Sequence, residues 1–122
     1  MASVLKSLKG YELGHEMSAF DIDNSSNRTK ANLLKPFMSH LFLGDVRNSD
    51  DLRKALIGQD VLIHLSAIIT PLSELNPALS DSVNIRGTLN ILKLIEEEFS
   101  NISLIFTSSM SIMGKIKIVF HH

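Results

Sequence analysis

An open parallel α/β sheet is the fold that this sequence predicts, and three observations predict it. Short apolar strands alternate with helices that carry their own start and stop signals. "DVLIHLSA" is apolar almost throughout, as a parallel strand covered on both faces should be. The strand candidates close on glycine, carboxylate, small or hydroxyl residues, where a right-handed crossover connection has to leave.

From Ala2 to about Leu13, Val4, Leu5 and Leu8 fit one face of a short helix, which Gly10 weakens. "GHEMSAFD" reads as a turn glycine followed by a strand through Met17, Ala19 and Phe20, ending at Asp21. "DNSSNRTK" reads as a polar loop, and "ANLLKPFM" as one or two helical turns interrupted by Pro36. "HLFLGD" is a short strand closed by glycine. Ser49 is placed to cap the next helix, with Asp50 and Asp51 in its first turn, where the helix dipole favours negative charge. Leu52, Ala55 and Leu56 form its apolar face, and Gly58 is placed to end it. After "DVLIHLSA", Asn76-Pro77 starts a long helix reaching about Glu98. Leu79, Val83, Leu89, Leu92 and Ile95 are its expected inward stripe. "SLIFTS" is the last clear strand.

With 122 residues, 44% of them hydrophobic, the chain is long enough for one domain with a real core. Twelve basic residues against thirteen acidic give no electrostatic reason to expect nucleic acid or a membrane surface. No cysteine is present, so neither disulfides nor thiolate metal sites arise. No apolar run approaches the roughly 18 residues of a membrane span, and the N-terminus has no signal-like stretch. The expectation is a soluble, cytoplasmic chain. His15, His40, His121 and His122 show no i, i+4 pairing with an acidic neighbour, so no metal site is expected.

Ligands of open α/β sheets bind beyond the carboxyl ends of the strands. Asp21 ends a strand, where a carboxylate either accepts ribose hydroxyls or serves as an ordinary turn residue. Gly44-Asp45 is either a plain turn or a carboxylate beside an adenine. Ser66 and Ala67 are small, so that a flat ligand approaches the backbone or a helix packs there. His64, within an apolar run, reads as a satisfied core histidine. Asn84 is either a solvated helix position or an amide bridging backbone groups or water beneath a site. Thr107, Ser108 and Ser109 bring hydroxyls to the last strand end.

"GDVRNSDDLRKAL", "VLIHLSA", "VNIRGTLN" and "IFTSSMSIMG" together resemble, in order and spacing, the extended short-chain dehydrogenase/reductase family. They look most like its NAD-dependent epimerase/dehydratase branch, which works on nucleotide sugars. The resemblance implies a Rossmann-like open parallel sheet with helices on both faces, here incomplete because the first strand is missing. It implies NAD as cofactor. Asp21 would hold the adenosine ribose, Asp45 and Val46 would lie beside adenine, and Leu65, Ser66, Ala67 and Ile68 would line the cofactor. Asn84 and Thr107 would lie near it, and Ser109 would hydrogen-bond the reacting sugar. An acid at the ribose position implies NAD over its 2′-phosphate analogue, which Asp21 would repel.

Two parts of that family's machinery are absent from these 122 residues. None of the six glycines forms the G-x-x-G-x-x-G loop that holds a pyrophosphate. The only tyrosine, Tyr11, has no lysine four positions later, so the Tyr-x-x-x-Lys pair is lacking. The expectation is a fragment or degenerate product: a partial NAD-binding domain over residues 1–114 and an aberrant or strand-like tail over 115–122. Its alternative is a non-catalytic α/β module that binds a nucleotide weakly or pairs with another chain. Loss of a central strand implies self-association through open sheet edges.

Overall fold

The computed structural model describes residues 14–109. The expected N-terminal helix and the C-terminal tail lie outside the described residues. The elements are β1 (Ser18–Ile22), α1 (Ser25–Leu34) with a following 3-10 turn (Lys35–Phe37), β2 (His40–Gly44), α2 (Ser49–Leu56) and β3 (Val61–His64). Then come α3 (Leu72–Leu75), α4 (Pro77–Asp81), a π-helical turn (Ser82–Gly87), α5 (Thr88–Glu98) and β4 (Ser103–Phe106).

The sheet is α/β and parallel, as expected, but it is divided. β1 pairs with β2, Phe20 opposite Phe42. β3 pairs with β4, Ile63 opposite Ile105. Among the described residues the two pairs form separate two-stranded sheets. Helices flank the first pair on both faces. Ala19, Asp21, Leu41 and Leu43 border a cavity against α1, while Phe20, on the opposite face, packs against the core that α2 and α5 build.

Several local expectations shift, each for a physical reason. β1 runs one residue beyond Asp21, to Ile22. "SSNRTK" is helix, not loop: the Asn24 side chain accepts from the Asn27 amide at 2.8 Å, and this cap outweighs the polar composition. Asn48, not Ser49, caps α2, because its side chain accepts from the amides of both Asp50 and Asp51. Asn76 and Pro77 start the long helix as expected, Asn76 accepting from Leu79 at 3.0 Å. Gly58 ends α2 with a φ of +75°, the left-handed conformation that suits glycine.

The core is small: Val46, Leu52, Leu56, Ile91, Leu94 and Ile102, with Phe20, Leu62, Val83, Ile95 and Phe99 packed against it. The long helix therefore buries only part of the expected stripe: Val83 and Ile95 pack against this core, but Leu89 and Leu92 do not. Gly87, Ile91 and Leu94, spaced four and three apart, face inward. Leu89 and Leu92 are 58% and 44% exposed, and Ile85, 53% exposed, shares their spacing. Leu79 is half-buried. The expected stripe breaks step between Val83 and Leu89, six residues apart, whereas steps of four from Val83 lead through Gly87 to Ile91, the face that packs. Nor is β3 covered on both faces: Val61 and Ile63, with Ile105 beside them, are about half exposed.

Gly87 is where the backbone must approach closely. A Cβ there would stand 2.6 Å from Val46 Cγ2. Helix propensity alone would make Gly87→Ala stabilising by about 1 kcal/mol. The packing predicts instead a loss of about 1–3 kcal/mol in chemical denaturation, recovered in part by adding Val46→Ala. In the same assay Ile91→Ala should cost about 2–5 kcal/mol, and Leu89→Ala should stay within about 0.5 kcal/mol of the parent.

Candidate functional site

Gly44 lets β2 turn into α2, since a Cβ there would meet the Asp51 side chain at 2.8 Å. Asp51 in turn accepts from the Asp45 amide at 3.2 Å. The Asp45 carboxylate is folded onto Arg47: its Oδ1 accepts from the Arg47 backbone amide at 2.9 Å and from Nε at 2.8 Å. The guanidinium beside it holds the Asp45 carboxyl below the usual carboxylate range. Arg47 also reaches the Ser82 hydroxyl at 3.3 Å. The Val46 side chain rests on Gly87, and its carbonyl accepts from Asn90 Nδ2 at 2.9 Å. Asn90 Oδ1 accepts from the Ser49 hydroxyl at 2.8 Å. The turn after β2 is thus stitched along the long helix.

The turn after β3 is stitched to the same helix. Asn84 Oδ1 accepts from the Ile68 amide at 2.7 Å, and its Nδ2 donates to the Ile68 carbonyl at 2.9 Å and to Ser80 Oγ at 3.1 Å. Of the two readings that the sequence left open for Asn84, the structure has the amide bridging backbone groups. Between His64 and Ile68, Leu65, Ser66 and Ala67 form an exposed arch. Thr107 Oγ1 donates to the His64 carbonyl at 3.3 Å, joining the ends of β3 and β4. Ser109, exposed, lies three residues beyond the end of β4.

Asp45, Val46, Ile68, Asn84 and Thr107 are therefore tied to neighbouring turns of one helix or to the strand end beside it. Asp21 lies on β1, opposite Leu43 of the β2 strand that leads into Asp45. Its Oδ1 accepts from the adjacent Ile22 amide at 2.8 Å, and it lines the cavity of about 480 Å³ against α1. Asp23, the next carboxylate, is held by Arg28, which keeps it below its ordinary value.

The sequence reading left Ser82, Gly87 and Thr88 without roles. Their signal is a cluster of poor helix formers, Asn84, Gly87 and Thr88, inside a strongly helical stretch. His64 is a satisfied core histidine, as expected: it is 5% exposed and its Nε2 lies 2.9 Å from Thr88 Oγ1. Burial pushes its pKa down. Among the described residues no cluster of three histidine, aspartate or glutamate side chains stands ready for a metal, and no helix is long and apolar enough to cross a membrane.

Paired parallel strands flanked by helices define a chain of the open, Rossmann-like α/β class. The chain belongs to the 3-beta hydroxysteroid dehydrogenase/isomerase family, whose family model matches residues 2–121. It is 29% identical, over 86% of its length, to a Methanocaldococcus jannaschii protein described as an uncharacterized membrane protein. It is 27% identical over 61% to CDP-paratose 2-epimerase of Salmonella typhi. Mouse 3 beta-hydroxysteroid dehydrogenase type 7 is 28% identical over 81%. The chain spans 31%, 23% and 26% of these relatives, respectively, under a third of each. The structure of Pen from Bacillus thuringiensis shares the fold, with a TM-score of 0.74 and 23% identity, over 92% of this chain and 35% of that one.

The lowered His64 pKa has a definite consequence for stability. The unfolded chain takes up a proton below about pH 6.5, which the buried imidazole resists. His64 therefore contributes no penalty above that pH and an increasing one as pH falls from there toward its lower folded value. Urea midpoints should drop between about pH 7.5 and 5.5, and His64→Gln should flatten that drop.

Proposed function

We propose that this chain carries the adenosine-facing half and the substrate-facing serine of an NAD-dependent oxidoreductase or epimerase site, and that the 122 residues alone do not turn over substrate. The observation that supports the reading best is the shared anchoring of three strand ends. Asp45-Val46, the Leu65–Ile68 arch and Thr107 are all held about one helix and the strand end next to it. Small, exposed Ser66 and Ala67 leave room for a flat group, and Asp21 offers a carboxylate one strand away.

These residues fit the adenosine end of a dinucleotide. Bound NAD would supply a hydride acceptor at a secondary alcohol. In this reading Asp21 accepts from ribose hydroxyls, and its charge favours NAD over the 2′-phosphate form. Asn84 and Thr107 act by holding the floor, since their hydrogen bonds fall on the chain itself. Ser109 positions the substrate hydroxyl. The group acted on is a secondary alcohol on a nucleotide sugar or a steroid ring, the two classes that the relatives' names supply.

The pyrophosphate cradle and a tyrosine-lysine acid/base pair are not among these 122 residues. An acid/base group is usually worth roughly 10²–10⁴ in rate, and an unanchored cofactor loses productive geometry as well. A second reading, a non-catalytic module that pairs with another chain, is favoured by the division of the sheet. Among the described residues β1 and β3 each pair on one edge only, and unpaired edges recruit other strands.

The purified chain, mixed with NAD and a panel of nucleotide sugars and 3β-hydroxysteroids, should give no reduced nicotinamide and no altered product. Turnover that disappears in Ser109→Ala would overturn this account. Light scattering separates the second reading: it expects a dimer or larger species.

A further inference from the structure

His64 is more than core filling, because the proton positions around it are fixed by chemistry. The Asn84 backbone carbonyl can only accept, so the 2.7 Å contact from Thr88 Oγ1 commits the single hydroxyl proton of Thr88 to it. At 2.9 Å from His64 Nε2, Thr88 then offers only a lone pair. Nε2 must carry the hydrogen, and the neutral imidazole is the Nε2–H tautomer with Nδ1 bare.

The two ends of the arch are therefore pinned to residues four apart on the same helix. Thr88 holds the side chain of His64, the residue before the arch. Asn84 holds both backbone groups of Ile68, the residue after it. Thr88 also donates to the carbonyl of Asn84, so one pin braces the other. Thr107 adds a third tie, through the His64 carbonyl. Leu65, Ser66 and Ala67 span the gap, exposed between fixed points.

We propose that His64 and Thr88 are a positioning pair, which acts through the Nε2–H tautomer to set the arch Leu65–Ala67. That the arch serves as the floor of a nucleotide site rests on the reading under Proposed function. The pinning does not.

The test is nitrogen NMR and amide hydrogen exchange on the whole ¹⁵N-labelled chain, without nucleotide. The parent His64 should show a protonated Nε2 and a bare Nδ1. Thr88→Val removes both the acceptor for His64 and the donor to Asn84. It should collapse the tautomer preference and speed exchange of the Ser66 to Ile68 amides by at least about fivefold, the scale of one lost buried hydrogen bond. Amides of Ile91 and Leu94 should stay protected, which shows that the fold persists. Thr88→Ser, which keeps the hydroxyl, should restore both signals. A parent His64 protonated on Nδ1, or a folded Thr88→Val chain with parental tautomer and arch exchange, would overturn the proposal. Failure of nucleotide binding with these signals as expected would sink the functional reading and leave the positioning pair standing.

Discussion

Val46 against Gly87 is the contact on which the rest of the arrangement depends. Among the described residues the two strand pairs share no ladder, so their relative placement falls to side-chain packing. The turn after β2 reaches the long helix only because residue 87 has no Cβ. That approach lets Leu52 and Leu56 of α2 pack with Ile91 and Leu94 of α5, and with Ile102 before β4. Asn90 secures it by taking up the Val46 carbonyl and the Ser49 hydroxyl. The Arg53–Glu98 pair at the far end of the two helices is half exposed. It contributes little beside the apolar contact, since solvent and salt screen it.

The same helix organises the candidate site, which explains the irregularity within it. A plain α-helix would spend its small and polar positions on solvent. Here the π-turn brings Ser82, Asn84 and Gly87 to three tasks within six residues: Arg47, the Ile68 backbone and Val46. π-turns inside helices are frequent at functional sites, and this one carries the contacts that fix two strand-end turns. The cost in helix propensity is therefore spread over positions whose tertiary contacts offset it.

Much of this was legible in the sequence. Strand and helix order, the parallel pairing, the Asn76-Pro77 start and the Gly58 stop follow from local chemistry. The family resemblance lay in four spaced motifs. Three features were not legible, for separate reasons. Asn24 turned a polar run into a helix, because one capping side chain outweighs composition. The buried face runs through Gly87, Ile91 and Leu94 instead of Leu89 and Leu92, and a glycine within the stripe gives an apolar count nothing to follow. The division of the sheet left Val61 and Ile63 half exposed in a strand whose composition reads as wholly buried. For the site, anchoring hydrogen bonds gather at the turn holding Asp45 and Val46, at Ile68 and at Thr107, while Asp21 Oδ1 accepts from the adjacent Ile22 amide on β1.

The most direct measurement is a titration of the ¹⁵N-labelled chain with AMP, the adenosine end without pyrophosphate or nicotinamide. The account predicts saturable shifts at the backbone amides of Asp21, Val46 and Ser66 to Ile68, with β4 interior amides such as Ile105 unmoved. Shifts confined to other surfaces, or no saturable shift at these amides while the spectrum remains that of a folded chain, would contradict it.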